Sequence, residues 1–252
     1  RPVVLAEQRE EALRVFMKTA ADRQAPLWYI PELVDISDIQ VTRQGTRFFV
    51  NSKPQGCSSP LDMIAAHRGL PFELSMVGSI QAQNAVQALA AVRIAYPDIP
   101  VTTLFKGLKN TCIPGRFERI HENPDIIIDG AHTPSSVQLC TDTFINLYGR
   151  DNLLLFGCAA DKDVEAMART VTPYFSHIII TKPGNFKKSD MERTEKAFTD
   201  AKVGFTVVVE SVPDTLVAIE RATSLAKTTK KPLLVTGSFY LAADIRAFCT
   251  SI

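Results

Sequence analysis

The stretch Ile126-Ile127-Ile128-Asp129-Gly130-Ala131-His132-Thr133-Pro134-Ser135-Ser136 decides the predicted fold. An apolar run ends in an acid, a glycine and a histidine, and a proline and two serines open the next segment. This order is typical of a buried strand that carries polar groups to its carboxyl end, where open α/β sheets bind their ligands. The sequence therefore predicts a ligand-binding sheet edge that begins at Asp129.

A second polar stretch, Pro114-Gly115-Arg116-Phe117-Glu118-Arg119, lies shortly upstream and can return to the same edge. Arg116 offers a planar, permanently charged fork that suits phosphate, and Asp129 offers a carboxylate that can accept hydrogen bonds from ribose hydroxyls. The pair predicts a nucleotide ligand. Two common signatures of nucleotide binding are missing, since the chain contains neither G-x-x-x-x-G-K-[ST] nor G-x-G-x-x-G after a strand.

The second half of the chain alternates between apolar runs and amphipathic segments. The runs are continuously apolar, which is typical of strands covered on both faces. Repeated strand–helix alternation predicts an α/β fold, with an open, Rossmann-like, mostly parallel sheet and helices on both faces. The predicted strands are Ile126–Ile128, Leu153–Phe156, His177–Thr181, Phe205–Val209 and Pro232–Thr236, and the predicted helices are 135–148, 164–171, 189–201, 213–227 and 241–248.

The first half follows a different pattern, with a predicted hairpin over 41–50 that turns at Gln44-Gly45. Asn, Thr, Pro and Gly cluster between Lys109 and Gly115, which favours a domain boundary there. We therefore predict two domains, 1–110 and 111–252. The other elements predicted in the first half are helices over Glu7–Ala21, Gln81–Tyr96 and Val101–Leu108, strands over Arg1–Leu5, Leu27–Val34 and Phe72–Val77, and a loop over 51–60.

Composition narrows the class of protein. The 252 residues are 46% hydrophobic and 22% charged, as in ordinary globular domains. A formal net charge of +1 gives no field that would attract nucleic acid, and no apolar run is long enough for a membrane span. The five cysteines are scattered and none forms a C-x-x-C pair, so we expect reduced thiols and a cytoplasmic protein.

Four apolar runs of the second half end in polar or glycine-containing segments. In a doubly wound sheet these ends share one edge, where small residues let a ligand approach the backbone and helix N-termini favour anions. Several residues also have a simpler interpretation, because Asp129, Asp161, Asp163 and Ser238 are of types that cap helices. His132, taken alone, is more often a surface histidine. The four segments are 129–132, 157–163, 181–184 and 236–240.

At these segments the chain resembles the folylpolyglutamate synthase/dihydrofolate synthase group of the Mur ligase family. The matching motifs run through nearly the whole chain in the family's order. They are Gly78-Ser79-Ile80-Gln81-Ala82-Gln83-Asn84-Ala85, with Ile80 in place of the family's His, then Pro114-Gly115-Arg116-Phe117-Glu118, Asp129-Gly130-Ala131-His132-Thr133-Pro134, Phe156-Gly157 with Asp161-Lys162-Asp163, and Thr236-Gly237-Ser238-Phe239-Tyr240-Leu241-Ala242.

The resemblance implies which part of an enzyme this chain forms. Residues 1–110 resemble the end of the family's central ATPase domain, and residues 111–252 resemble its whole C-terminal glutamate ligase domain. In the family, a segment like Arg1-Pro2-Val3-Val4 follows closely after a carbamylated lysine that helps to hold Mg²⁺, and the P-loop and most magnesium ligands lie further upstream. We therefore expect a chain cut from a longer enzyme, with ATP and Mg²⁺ as cofactors and no metal ligand singled out within it.

The implied reaction is ATP-dependent amide formation in folate biosynthesis and one-carbon metabolism. A substrate carboxylate attacks the γ-phosphate and becomes an acyl phosphate, and the amine of L-glutamate then attacks the acyl carbon and expels phosphate. The expected partners are ATP, L-glutamate and folate or dihydropteroate, without nucleic acid or membrane. We expect the chain alone to be inactive, because it lacks the phosphate-binding half of the site.

The resemblance also assigns a nucleotide-binding role to four residues. Arg116 would contact the ATP phosphates and Asp129 the ribose hydroxyls from the C-terminal domain. Asn84 and Gln81 would line the nucleotide site from the central domain. The complete site would then lie between domains and be assembled by domain closure.

Three further residues are assigned to the reacting groups. His132 and Ser238 would handle the incoming glutamate or the reacting phosphate, and Lys162 would pair with a substrate carboxylate. Two alternatives stay open at this stage: another Mur-type ligase, acting on a peptidoglycan precursor or making cyanophycin, and a noncatalytic nucleotide-binding module. The sequence fits dihydropteroate, folates, or both as the acceptor of glutamate. It does not specify an oligomeric state.

Overall fold

The computed structural model describes residues 1–53, 61, 70–184 and 187–250. The chain divides into two compact units, Arg1–Cys112 and Ile113–Ile252. The predicted loop over 51–60 is wrong at its first two residues, which belong to a strand. From residue 54 onward this loop, together with Cys57, lies outside the described residues.

The first unit contains a two-stranded parallel pair and a three-stranded antiparallel sheet. Its elements are β1 Val3–Leu5, α1 Glu10–Asp22, β2 Leu27–Tyr29, α2 Ile30–Leu33, β3 Val34–Thr42, β4 Gly45–Ser52, β5 Phe72–Leu74, α3 Ser79–Ala95 and α4 Val101–Asn110. β1 pairs with β2, and β4 lies between β3 and β5. The antiparallel sheet and the helices α3 and α4 share one apolar core that includes Phe48, Phe72 and Leu89.

The predicted hairpin in the first unit is confirmed. β3 and β4 pair antiparallel, with Thr42 opposite Gly45. Gly45 has a φ of +154°, and a Cβ at this position would lie 2.0 Å from the carbonyl oxygen of Leu74. The start of β4 therefore requires glycine, both for its backbone conformation and for the close approach of β5.

The predicted strand over Leu27–Val34 is wrong beyond Tyr29. The next four residues form α2, and Val34 already begins β3. Pro31 explains the interruption, because proline cannot donate to a strand ladder and suits the first turn of a helix. The predicted strand from Phe72 is also too long, since β5 ends at Leu74.

The second unit is built on one six-stranded sheet with the order β10-β9-β8-β11-β7-β6. Its elements are β6 Glu118–His121, β7 Ile126–Ile128, α5 Pro134–Tyr148, β8 Asn152–Phe156, α6 Val164–Val171, a 3-10 turn over Thr172–Tyr174, β9 Phe175–Ile180, α7 Met191–Ala201, β10 Val208–Ser211, α8 Thr215–Thr229, β11 Leu233–Thr236 and α9 Phe239–Thr250. All neighbouring pairs are parallel except β6 with β7, which is antiparallel.

Helices cover both faces of this sheet, as predicted. Ile128, Leu155 and Val235 lie in one core with residues of α8 and α9. Successive side chains on a strand point to opposite faces, and on the other face Phe156 meets Phe198 of α7 with ring centroids 5.1 Å apart. Burial on both sides explains why these strands are continuously apolar in sequence. No helix in the described ranges has the length and apolar character that a bilayer crossing needs.

Two predictions for the second unit are corrected. β6 was not predicted, because it is a short edge strand of mostly polar residues. The predicted strand over Phe205–Val209 begins too early, since β10 spans Val208–Ser211. The reason is a turn at Gly204, which has a φ of +86° and is followed by a hydrogen bond from the Phe205 N–H to the carbonyl of Lys202.

Candidate functional site

The carboxyl ends of β7, β11 and β8 are held together by backbone hydrogen bonds that continue past the strands. The Gly237 N–H donates to the carbonyl of Ala131 (2.9 Å), and the Gly157 N–H donates to that of Thr236 (3.3 Å). A Cβ on Gly237 would lie 2.7 Å from the carbonyl oxygen of Gly157, and one on Gly157 would lie 2.7 Å from that of Thr181. The glycines thus let neighbouring loops approach to backbone distance and form one continuous edge.

The reversed direction of β6 brings Arg116 to this edge. Because β6 runs antiparallel to β7, the residues before β6 lie beside the residues that follow β7. The Gly130 N–H donates to the carbonyl of Gly115 at 2.8 Å. The structure therefore brings together the Arg116 and Asp129 segments that the sequence analysis paired, through a strand that was not predicted.

Asp129 ties the two loops to each other. Its Oδ2 accepts a hydrogen bond from the Phe117 N–H (2.8 Å), and its Oδ1 accepts one from the Ala131 N–H (2.7 Å). Burial raises the pKa of the Asp129 carboxyl above its ordinary range, although the two backbone donors and the charge of Arg116 act in the opposite direction. Asp129 is not the N-cap of α5, because that position belongs to Thr133.

Arg116 lies over the aromatic ring of Phe239, the first residue of α9. Its guanidinium carbon is 4.6 Å from the ring centroid, and the side chain is exposed and forms no salt bridge with any residue that the structure describes. Phe239 also contacts the two loop glycines: a Cβ on Gly130 would lie 2.1 Å from its Cδ1, and one on Gly115 would lie 3.5 Å away. An exposed, orientated cation at this edge is suited to an anionic ligand.

His132 is held by its own loop. Its Nδ1 lies 2.8 Å from the carbonyl oxygen of Gly130, which can only accept, so Nδ1 carries a hydrogen. In the neutral ring, Nε2 then carries the lone pair and can accept a proton or a hydrogen bond. The following Thr133 caps α5, with reciprocal hydrogen bonds to Ser136.

Ser238 serves as a cap in the structure. It directly precedes α9, is buried, and its Oγ accepts a hydrogen bond from the Tyr240 N–H at 3.1 Å. The simpler interpretation of Ser238 as a helix cap is thus confirmed, and its hydroxyl hydrogen stays available for a ligand. β11 lies between β7 and β8, so Ser238 lies between the loops that carry Asp129 and Lys162.

Lys162 lies in the loop after β8 and pairs with its neighbour. Its Nζ is 3.2 Å from Oδ2 of Asp161. Asp163 accepts a hydrogen bond from the Ala166 N–H at 3.0 Å and caps α6, as its simpler interpretation predicts. Asp161 does not cap this helix. Among the described residues, Lys162 makes no hydrogen bond or ion pair with Asp129 or His132, so it lies on the same edge without a direct link to them.

Gln81 and Asn84 belong to the first unit, on the first two turns of α3. The Asn84 amide donates to Oε1 of Gln81 at 3.1 Å. The start of this helix is fixed by buried Thr46, whose hydroxyl donates to the carbonyl of Met76 (2.9 Å) and accepts from the Gly78 N–H (3.0 Å). Thr46 was missed in the sequence because its partners are distant along the chain.

The described residues contain no cluster of three or more His, Cys, Asp or Glu side chains that could hold a metal ion. Phe239 was also missed as a site residue, although it lies within a motif quoted above. Gly130 is the signal that could have identified it, because a Cβ at this position would occupy the space of the ring.

A family comparison identifies the second unit. Residues 115–239 match the family model described as the Mur ligase, glutamate ligase domain. The match includes the arginine, aspartate, histidine and serine segments of the edge. Over these residues the second unit matches the glutamate ligase domain of the Mur ligases.

Curated relatives show the group within this family. The chain is 29% identical over 182 residues to the probable bifunctional folylpolyglutamate synthase/dihydropteroate synthase of Haloferax volcanii. This alignment covers 72% of this chain and 21% of the relative. It is 24% identical over 255 residues to the dihydrofolate synthase/folylpolyglutamate synthase of Bacillus subtilis, covering 97% of this chain and 54% of the relative. The resemblance to folylpolyglutamate synthases is thus confirmed, and the chain spans about half the length of the Bacillus relative.

Ligases of peptidoglycan precursors also match part of this chain. The UDP-N-acetylmuramoyl-L-alanyl-D-glutamate--2,6-diaminopimelate ligase of Aquifex aeolicus is 30% identical over 172 residues, covering 64% of this chain and 34% of the relative. Among solved structures, the folylpolyglutamate synthase of Mycobacterium tuberculosis complexed with ADP and AMPPCP has a TM-score of 0.80 at 22% identity, over 98% of this chain and 55% of that chain. This likeness confirms the predicted fold class.

Proposed function

We propose that this chain is part of an ATP-dependent amide ligase that adds L-glutamate to the carboxylate of a folate or of dihydropteroate through an acyl phosphate. The observation that carries the proposal is the edge of the second unit. There an exposed arginine, a clamped aspartate and an orientated histidine occupy one side of a domain that matches the Mur ligase glutamate ligase domain.

Arg116 is the proposed phosphate ligand. Its guanidinium has five donors in a fixed plane and keeps its positive charge at any physiological pH. No described acid neutralises it in a salt bridge, so the charge stays available for an incoming anion. The N-termini of α5 and α9 begin at the same edge and add partial positive charge.

Asp129 has two proposed roles. The first is to hold Phe117 and Ala131, and therefore the loop on each side of it, through their N–H groups. The second is to accept ribose hydroxyls, for which each carboxylate oxygen keeps a lone pair after accepting one backbone hydrogen bond. Both roles would place the nucleotide next to the Asp129 carboxylate.

The other edge residues are proposed for the reacting groups. Nε2 of His132 faces no competing hydrogen bond among the described residues, so it can bind or hold a proton near the reacting phosphate or the glutamate amine. The Ser238 hydroxyl can donate to an oxygen of the same groups. Lys162 would exchange its pairing with Asp161 for a substrate carboxylate.

Residues 1–110 are proposed to be the end of a central ATPase domain, and 111–252 the C-terminal domain that follows it. In this arrangement Gln81 and Asn84 would line the nucleotide site from their own domain. ATP and Mg²⁺ are proposed as cofactors. By the resemblance, the Mg²⁺ ligands are proposed to lie mainly in the part of the enzyme that precedes residue 1.

The folate branch is favoured over the other Mur-type ligases by the range of the match. The match to the Bacillus subtilis folate enzyme extends over 97% of this chain, whereas the matches to the peptidoglycan ligases of Halalkalibacterium halodurans and Aquifex aeolicus extend over 75% and 64%. The proposed partners are therefore ATP, L-glutamate and a folate or dihydropteroate, without nucleic acid or membrane. A cytoplasmic location is proposed with them, since the cysteines that the structure describes form no disulfide.

The test is an assay of the isolated chain beside the complete protein that contains it. ATP, L-glutamate and either dihydropteroate or a reduced folate are supplied, and the glutamylated product and ADP are measured. We expect the complete protein to form product with one or both acceptors and the isolated 252-residue chain to form none. Turnover by the isolated chain would contradict its assignment as only one part of the active site. Failure of the complete protein to form product would contradict the proposed function.

A further inference from the structure

We propose that Phe239 is a positioning residue that holds Arg116 in the orientation needed for an anionic ligand. This inference rests on the proposed function, in which Arg116 contacts the nucleotide phosphates, and it adds a residue to which no role has been given. Phe239 would not touch the phosphates. It would act through the guanidinium that lies 4.6 Å from its ring centroid.

The ring of Phe239 packs against two glycines. A Cβ on Gly130 would lie 2.1 Å from Cδ1 of the ring, which is far inside van der Waals contact. Gly115, on the loop that carries Arg116, has a φ of +68°, and its Cβ would lie 3.5 Å from the ring. Any side chain at position 130 would displace the ring, so Gly130 and Phe239 form one packing unit.

Helix α9 contacts the Arg116 loop through a second residue. Arg246 lies further along this helix, and its guanidinium is 3.2 Å from Oε1 of Glu118. The other oxygen of Glu118 accepts a hydrogen bond from the Gly115 N–H at 2.8 Å. The helix that begins with Phe239 therefore fixes the backbone of the loop through Glu118, while Phe239 itself contacts the side chain of Arg116.

The nature of the contact suits a ligand-binding arginine. An acidic partner would orient the guanidinium but would also neutralise it and occupy its donors. An aromatic face attracts the cation without a formal negative charge and leaves the in-plane N–H groups free. The Phe239 side chain is 38% exposed, so burial in the core does not account for its position.

The experiment is a double-mutant cycle on the KM for ATP in the complete protein. Phe239→Leu removes the aromatic face and keeps an apolar side chain, and Phe239→Tyr is the matched control that keeps the face. Each is made with Arg116 present and with Arg116→Ala, and thermal unfolding followed by circular dichroism checks that each variant folds. We expect Phe239→Leu to raise the KM for ATP roughly two- to fivefold, the size of an exposed cation–π contact, and Phe239→Tyr to stay within about twofold of wild type.

The cycle separates the inference from the proposed function. In the Arg116→Ala background, we expect Phe239→Leu to have no further effect, because the residue through which it acts is gone. An equal effect of Phe239→Leu in both backgrounds, or equal effects of Leu and Tyr, would overturn the positioning role alone. An unchanged KM in Arg116→Ala would instead remove Arg116 from the nucleotide site and overturn the positioning role with it, whereas only a complete protein that forms no product would overturn the proposed ligase activity.

Discussion

Replacing Asp129 by alanine should release the two loops of the edge at once. The carboxylate accepts the N–H groups of Phe117 and Ala131, and both residues are buried, so water cannot fully replace it. Hydrogen bonds to a charged group contribute about 1.5–3 kcal/mol each, which gives about 3–6 kcal/mol for the pair. Relief of burying the carboxylate offsets part of this, so we expect a net loss of about 2–4 kcal/mol in the free energy of unfolding of the second unit.

The assay is amide hydrogen exchange followed by NMR, which reports on the two donors directly. In Asp129→Ala the N–H groups of Phe117 and Ala131 should exchange at least tenfold faster than in wild type. The exchange rates of core amides in β8 should change only as far as the free energy of global unfolding changes. Asp129→Asn should not restore protection of both amides, because its side chain presents one acceptor and one donor. In the complete protein, release of the loop also misplaces Arg116, so the KM for ATP should rise.

Asp161→Ala is the matched control for this experiment. Asp161 is an exposed acid whose ion pair is with Lys162, and exposed pairs contribute little to stability. We expect unchanged exchange at Phe117 and Ala131 in this variant. If Asp129→Ala also left both amides protected and the free energy of unfolding within about 1 kcal/mol of wild type, the clamp account of Asp129 would be refuted.

Two further predictions concern the Asp129 carboxyl and the start of α3. Because burial raises the pKa of Asp129, the native state takes up this proton at a higher pH than the unfolded chain. The contribution of Asp129 to stability therefore falls as the pH rises from the pKa of the unfolded chain to that of the native state. Carbon NMR titration should give a pKa above that of a free aspartate, and a lower pKa would contradict burial as the dominant influence. Thr46→Val should lower the stability of the first unit by about 1–3 kcal/mol, since it leaves buried partners at Met76 and Gly78 without a hydroxyl. Urea unfolding followed by the single tryptophan, Trp28, measures this loss; Thr46→Ser should recover most of it, and equal stabilities of the Val and Ser variants would count against the hydrogen-bonding role.

The sheet of the second unit could be predicted because its information is local. Continuously apolar runs such as Ile126–Ile128 and Leu153–Phe156 are buried on both faces, and each is followed by a helix with its own polar start. Periodicity and turn residues specify such elements without knowledge of their neighbours. The same holds for the hairpin at Gly45, where the turn residue and the flanking apolar residues are adjacent in sequence.

The parts that could not be predicted depend on contacts between distant residues. β6 is a polar edge strand whose identity comes from pairing with β7, and the position of Arg116 follows from its reversed direction. Asp129 was assigned to a ligand or a helix cap, yet its oxygens accept backbone N–H groups on both loops. Phe239 was overlooked because the residue that makes room for its ring, Gly130, marks the contact by lacking a side chain.

The central claim is that this chain belongs to an enzyme that activates a carboxylate as an acyl phosphate. The most direct measurement uses the complete protein with ATP, L-glutamate and a folate or dihydropteroate whose reacting carboxylate carries oxygen-18. Attack of that carboxylate on the γ-phosphate, followed by displacement by the amine, transfers one labelled oxygen to the released phosphate. We predict oxygen-18 in inorganic phosphate in proportion to product formed; product formation with unlabelled phosphate would contradict the account.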